Sequence, residues 1–372
     1  MTSKALPRNL LLLTASSIFS LGLIMIFSTT SAEILDHELD KSTHHAIIKQ
    51  LYYAGIGLVL AWGLVRIGYQ KLLTYSAPLL AIFTFLLLLA LIPGIGKEVN
   101  GSKRWLHFAG VSFQPSEFVK YVIPAYFIHQ FLKYQNEEFH FRDFIKLAGI
   151  VSVPMFLILI EPNNGTTAVI GLTMAALFLL ARIRFRYWAW PLIAFVVVLG
   201  TFALQLPYVS ARIQVYLHPE LDLKGKGHQP YQSRIAAGSG QLWGKGPGNS
   251  LQKLSYLPEA QNDYIAAIYA EEFGFMGMLG LITLYLILAG VGFYIAYYSY
   301  ERGGFFLASC VVFLISFQAF MNLGVVSGLL PSTGLNLPLF SQGGSSLMAN
   351  IVAVALLYSI SRENEERSHL YG

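Results

Sequence analysis

Leu257-Pro258-Glu259-Ala260-Gln261-Asn262-Asp263-Tyr264-Ile265-Ala266-Ala267-Ile268-Tyr269-Ala270-Glu271-Glu272-Phe273-Gly274 is where a hydrophilic loop runs into a long apolar helix. The run that follows, Phe273 to Tyr300, is 28 residues without a charge, which only a membrane span explains comfortably. Four carboxylates, Glu259, Asp263, Glu271 and Glu272, therefore stand at a membrane boundary. Charge there is costly, so a functional role is the first hypothesis. Pro258 suits a first helical turn, and Glu259 just after it suits the positive end of the helix dipole. Capping alone would account for Glu259. It accounts less well for Asp263, because capping ends within the first turn. Asp263 and Glu271 lie roughly 80° apart on the helical wheel and about 12 Å apart along the axis. Glu272 falls roughly opposite Asp263. These side chains cannot all serve one reacting atom, and Asp263 is the candidate for chemistry.

Working outward, the whole chain has the same character. Its 372 residues are 55% hydrophobic and 12% charged. A soluble domain carries about a quarter charged residues, so an ordinary soluble fold is excluded. The net charge of +5 is too modest to imply nucleic acid. The single cysteine, Cys310, lies in an apolar run, which excludes a disulfide framework and a cysteine metal cluster. The uncharged run Asn9–Ser31 behind Lys4 and Arg8 is too long for a signal-peptide core and reads as a retained first span.

Apolar windows place ten spans near 9–31, 48–67, 72–94, 115–133, 144–161, 165–183, 187–206, 260–300, 303–329 and 339–361. The expected fold is all-α and polytopic, one membrane domain over 1–372 with a short, charged, disordered cytoplasmic tail at 362–372. The eighth span is over-long and should tilt, or kink near its glycines. With the N-terminus inside, cytoplasmic segments hold thirteen Lys and Arg residues and the short outer loops hold five. That asymmetry puts both termini in the cytoplasm.

One outer loop, 207–258, is long enough to need a purpose. It carries Arg212, Lys224, Lys226, Arg234, Lys245 and Lys253 and the glycine-rich run Gly238–Gly248. A dinucleotide fingerprint starting at Gly238 would need glycine where Trp243 stands, and no Walker spacing fits. Two readings remain open on composition. The glycines allow a tight multi-turn loop, or their N–H groups and nearby lysines meet a phosphate. In the fourth span Glu117 and Lys120 are three apart and share a helix face, as an ion pair or as a working pair.

These segments together carry a resemblance. The Leu-Pro-Glu-Ala-x-x-Asp-Tyr-Ile stretch at 257–265 and Glu271-Glu272-Phe273-Gly274 look like the signature of the SEDS family (shape, elongation, division and sporulation). So do Tyr231-Gln232-x-x-x-Ala236-Ala237-Gly238-Ser239-Gly240 and Gly244-x-Gly246-x-Gly248-x-Ser250-x-x-Lys253. Lys103-Arg104-Trp105, then Phe113-Gln114-Pro115-Ser116-Glu117-x-x-Lys120, resembles the family's loop into the fourth span. Asn322-x-Gly324, Gly328-Leu-Leu-Pro331, Gly334-Leu-x-Leu-Pro338 and Ser341-x-Gly343-Gly344-Ser345-Ser346 resemble its last outer loop, read as architecture. The likeness runs from about 10 to 361, and the alanine after Pro-Glu is nearer the division member than the elongation member. Two positions depart from the pattern. Asn163 stands where the family has aspartate, with Glu161 beside it, and Gln342 stands where tyrosine is common.

The resemblance implies a bacterial cytoplasmic (inner) membrane enzyme polymerising lipid II into glycan strands. It implies a class B penicillin-binding protein and the division machinery as partners, in contact with membrane lipid. The acceptor's 4-hydroxyl would displace undecaprenyl pyrophosphate, which calls for one carboxylate base and several cations. Matching the family's motif, Asp263 is the base. Candidates for substrate contacts are Lys103, Arg104, Gln114, Glu117, Lys120, Arg212, Arg234, Lys245 and Lys253. Nothing in the ligand spacing demands magnesium or manganese, though the chemistry would accommodate either. A lipid II flippase, an elongation-type polymerase and a recruiting scaffold are the alternatives.

Overall fold

The computed structural model describes residues 6–37, 44–99, 102–108, 111–134, 138–161, 163–204, 216, 227–253 and 261–371. Along them run α1 (Leu6–His37), α2 (His45–Ile67), α3 (Tyr69–Thr74) and α4 (Ser76–Leu91), then β1 (Gly96–Val99), β2 (Ser102–Phe108) and β3 (Val111–Phe113). There follow α5 (Ser116–Leu132), α6 (Phe141–Ile160), α7 (Asn164–Leu180), α8 (Phe185–Leu204) and α9 (His228–Ser239). The chain ends in α10 (Ile265–Tyr297), α11 (Arg302–Val326) and α12 (Gly344–Tyr371). A helix, or the α3–α4 pair, lies at each of the ten predicted spans. Among the described residues α1, α2, α6, α10, α11 and α12 are long and apolar enough to cross a membrane, and α4 and α7 are shorter apolar helices.

The bundle is layered by exposure. α5, α11 and α12 form its centre, and α5 is buried almost without interruption from Ser116 to Ile128. Around them α1, α2, α6 and α10 turn Leu13, Leu58, Phe156 and Leu286 outward. Exposed leucine rows on helices whose backbone is internally satisfied are lipid contacts. Small residues let the helices approach closely, as membrane packing requires. A methyl group at Gly57 of α2 would press on Met348 and Ile351 of α12, and one at Gly22 of α1 would overlap the Phe340 backbone.

Two segments differ from the sequence expectation. In a stretch expected only as loop, the three strands form an antiparallel sheet in the order β1-β2-β3, with Lys97 opposite Trp105 and Leu106 opposite Phe113. Strands of three to seven residues leave too short an alternation to stand out in sequence. The sheet is tied to the bundle where the Ser112 N–H donates to Tyr53 Oη at 3.0 Å and the Gln114 N–H to Ser345 Oγ at 2.8 Å. Phe113 clusters with Phe83 of α4 and Phe118 of α5, the three rings in mutual contact. At the other end α12 continues through the charged tail to Tyr371. There Arg362 pairs with Glu366 one turn on at 2.8 Å, and Arg8 of α1 meets Glu365 at 3.0 Å.

The over-long span breaks where its glycines suggested. Gly274 holds φ 66°, ψ −164°, so α10 is a half-helix Ile265–Phe273 followed by a long limb to Tyr297.

Candidate active site

Asp263 lies in the turn 261–264 that feeds the short half-helix, and it is part-exposed. Three contacts fix that turn. Asn322 Nδ2 of α11 donates to the Asp263 carbonyl at 2.8 Å and to the Leu335 carbonyl at 2.7 Å. The Gln342 N–H donates to the Gln261 carbonyl at 3.0 Å, and Tyr264 Oη donates to Ser332 Oγ at 3.2 Å. The loop 331–343 thus lies against the aspartate: a methyl built on Gly334 would come within 3.8 Å of Asp263 Oδ2.

The same loop joins a buried polar spine. Lys120 Nζ bonds Glu117 Oε2 at 2.7 Å and Gln318 Oε1 at 2.8 Å, all three side chains being buried. Gln318 Nε2 then donates to the Asn336 carbonyl at 2.8 Å, and Asn336 Nδ2 to the Gln342 carbonyl at 2.8 Å. Burying charge in a bundle demands that each partner be satisfied, and here Lys120 has its carboxylate and an amide. Glu117 and Lys120 therefore brace the loop that bears on Asp263. Sequence reasoning missed Gln318 and Asn336. An amide inside the apolar run 303–329 was the available signal for Gln318.

The glycine-rich segment takes the other carboxylates. Glu271 receives Lys245 Nζ at 2.5 Å, Ser239 Oγ at 3.2 Å, Ser250 Oγ, and the N–H groups of Leu251 and Gln252 at 3.3 Å. Glu272 receives Lys253 Nζ at 2.8 Å and Ser28 Oγ of α1 at 3.0 Å. Lys253 Nζ also donates to the Gly248 carbonyl at 2.7 Å. Main chain completes the strap, with Lys245 N–H to the Glu271 carbonyl and Gly246 N–H to the Glu272 carbonyl, each at 3.0 Å. Of the two open readings of this segment, the tight loop with positive φ at Gly244, Gly246 and Gly248 describes its geometry.

The remaining candidates fall elsewhere. Arg234 of α9 donates to the Gly328 carbonyl at 3.3 Å and to the Tyr216 carbonyl at 3.4 Å. Gln114 donates through Nε2 to Ser116 Oγ at 3.2 Å. Lys103 and Arg104 are part-exposed on β2, with Arg104 over the Trp105 ring at 5.7 Å. Arg212, Pro258 and Glu259 lie outside the described residues. Asn163 caps α7 by accepting from the Thr166 N–H and donates to Ser116 Oγ, each at 3.4 Å.

Glu161, just past the end of α6, is buried with neither carboxylate oxygen hydrogen-bonded. An apolar cleft of about 120 Å³ between α4, α5 and α12 runs beside Phe118 and Tyr121. The larger cavities, about 650 and 840 Å³, adjoin Tyr300 near the far end of α10 and do not touch Asp263. Among the described residues no group of three or more His, Cys, Asp or Glu side chains is placed to hold a metal.

A bundle of apolar helices around a buried polar spine, with an aspartate turn fixed at one end, defines a multi-pass membrane protein. The family described as "Cell cycle protein", FtsW/RodA/SpoVE, matches residues 8–366, and the chain belongs to it. A "Probable peptidoglycan glycosyltransferase FtsW" of Legionella pneumophila is 39% identical, over 94% of this chain and 89% of that protein. "Stage V sporulation protein E" of Bacillus subtilis is 38% identical over 97% and 98%. The fold is shared with the rod shape determining protein RodA of Thermus thermophilus, at TM-score 0.68 and 24% identity, covering 95% of this chain and 96% of that one. A chain from a peptidoglycan synthase complex aligns at TM-score 0.75 and 24% identity, covering 95% and 97%.

Proposed function

We propose that this chain is a peptidoglycan glycosyltransferase that polymerises lipid II for septal wall synthesis, with Asp263 as general base. The observation that carries the reading is the fate of the carboxylates around the break in α10. Glu271 and Glu272 are buried in ion pairs, whereas Asp263 is part-exposed on a turn whose backbone is fixed from α11. A base must be accessible and immobile, and Asp263 meets both conditions.

In this mechanism the Asp263 carboxylate accepts the proton of the acceptor sugar's 4-hydroxyl. The oxygen attacks the donor's anomeric carbon, the bond to undecaprenyl pyrophosphate breaks, and the α linkage becomes β. The diphosphate leaves as a stable anion, so cations matter more than a second acid. Among the described residues, Lys103 and Arg104 on β2 supply part-exposed cations, whereas Lys245 and Lys253 already neutralise carboxylates in the strap.

The membrane is the bacterial cytoplasmic membrane, with both termini cytoplasmic and Asp263 at the outer face. The partner is a class B penicillin-binding protein, a reading supported by the fold shared with a chain of a peptidoglycan synthase complex. The test is lipid II incubated with purified protein, with and without that partner. Glycan strands in either arm are the expected product. Lipid II crossing a vesicle bilayer with no strands formed in either arm would replace the polymerase with a flippase.

A further inference from the structure

The strap that neutralises Glu271 and Glu272 also carries Leu242 and Trp243, which nothing in the proposed chemistry uses. Trp243 is 74% exposed and Leu242 46%. Exposed apolar side chains on a loop are usually mobile, but these are held by backbone bonds. The Phe275 N–H donates to the Gln241 carbonyl at 2.8 Å and the Met276 N–H to the Leu242 carbonyl at 3.1 Å. The Gly244 N–H closes the turn on the Gly240 carbonyl at 2.7 Å. The first N–H groups of the long limb of α10, which the break would leave unsatisfied, are thus capped by this turn.

The turn sits at the head of an apolar stripe. Phe275, Leu279, Ile282, Leu286 and Phe293 are all exposed and fall within about 40° of one another's mean direction on the helical wheel. That stripe is bilayer-facing surface. The far end of the helix carries Tyr294 and Tyr297, with Tyr298 just past it, each at least half exposed, and Tyr297 falls on the stripe. From Phe275 to Tyr294 is twenty residues, about 30 Å of helix, which matches the hydrocarbon thickness of a bilayer. Trp243, in the turn that caps the head of this limb, and the tyrosines at the limb's far end therefore stand about one hydrocarbon thickness apart, and tryptophan and tyrosine concentrate at the two interfaces.

We infer that the Leu242–Trp243 turn seats in the interfacial layer of the lipid bilayer on the Asp263 side, and so fixes the depth of the half-helix that follows Asp263. The occupant of this surface is lipid, because the turn continues a lipid-facing stripe and lies at the level its tryptophan prefers. The link to Asp263 is rigid. Strap and half-helix share the Lys245–Glu271 and Lys253–Glu272 pairs as well as main-chain bonds. A lipid-borne sugar presents its reacting atoms at a set height above the membrane, and a base fixed in height meets them without a search.

Depth measurement tests this. Trp243→Cys in a Cys310→Ser background is spin-labelled and reconstituted in nanodiscs of phosphatidylethanolamine and phosphatidylglycerol. Accessibility to oxygen and to a water-soluble nickel chelate is then compared with labels at Asn249, an exposed loop position, and Leu286, midway along the stripe. The label at 243 should show an oxygen-to-nickel ratio several-fold above that at Asn249 and below that at Leu286. A ratio equal to that at Asn249 places the turn in water and overturns the inference. Exclusion of both reagents places it against protein, a second copy being the available partner, and overturns it equally. An unchanged Leu286 profile in the Trp243→Cys protein verifies that the helix is intact.

Discussion

Asp263 is part-exposed on a fixed turn, and Asp263→Asn keeps its size and hydrogen bonding while removing the base. Strand synthesis should fall about 10²–10⁴-fold, equivalent to roughly 3–5 kcal/mol of barrier. Membrane insertion and lipid II binding should persist. Asparagine also caps helices well, so an aspartate needed only as a cap would leave activity within a few-fold of wild type.

At the scale of elements, the break in α10 organises the site. Gly274 has φ 66°, where a side chain is strained by about 1–3 kcal/mol. Its Cβ would also lie 2.3 Å from the Gly244 nitrogen and 2.7 Å from the Leu242 carbonyl oxygen. Both atoms are rigid backbone of the strap, so the overlap cannot be relieved by a rotamer. Gly274→Ala should therefore separate strap from helix. Thermal stability should drop by at least the strain figure, and strand synthesis should fall with it. Gly280→Ala, on the same helix with open space at its Cβ, is the control. Equal melting temperatures for the two variants would show that the break is not a structural requirement. The sequence signalled this element in part. A run of 28 uncharged residues is too long for one straight span, and glycine marked where it yields. That the chain returns from residues 240–246 to fill the break has no local signature, because main-chain atoms do the filling.

The whole molecule is a bundle with its polar machinery at one end and its termini at the other. Orientation in the membrane is argued from thirteen inner against five outer basic residues. A cysteine at Asn249 should react with an impermeant reagent from outside intact cells, and one at Arg184 only after the inner face is opened. Cys310 is buried and gives little background. The reverse pattern would invert the bundle and put Asp263 in the cytoplasm.

Hydropathy and span length alone determined that this chain is a helical membrane protein, since lipid tolerates few alternatives to apolar helices. The ordered motifs from Lys103 to Ser346 carried the family, and the same stretch singled out Asp263. Only the folded structure decided which charges are available. Lys245 and Lys253 read as phosphate ligands in sequence, yet in three dimensions they meet Glu271 and Glu272, 26 and 19 residues away along the chain. Gln318 and Asn336 had no role in sequence, yet they join Lys120 to the loop beside Asp263. The reason is physical. Hydrophobic length is a local property that any window reveals, whereas a buried charge must find its partner wherever packing places it, and packing is settled by the whole bundle.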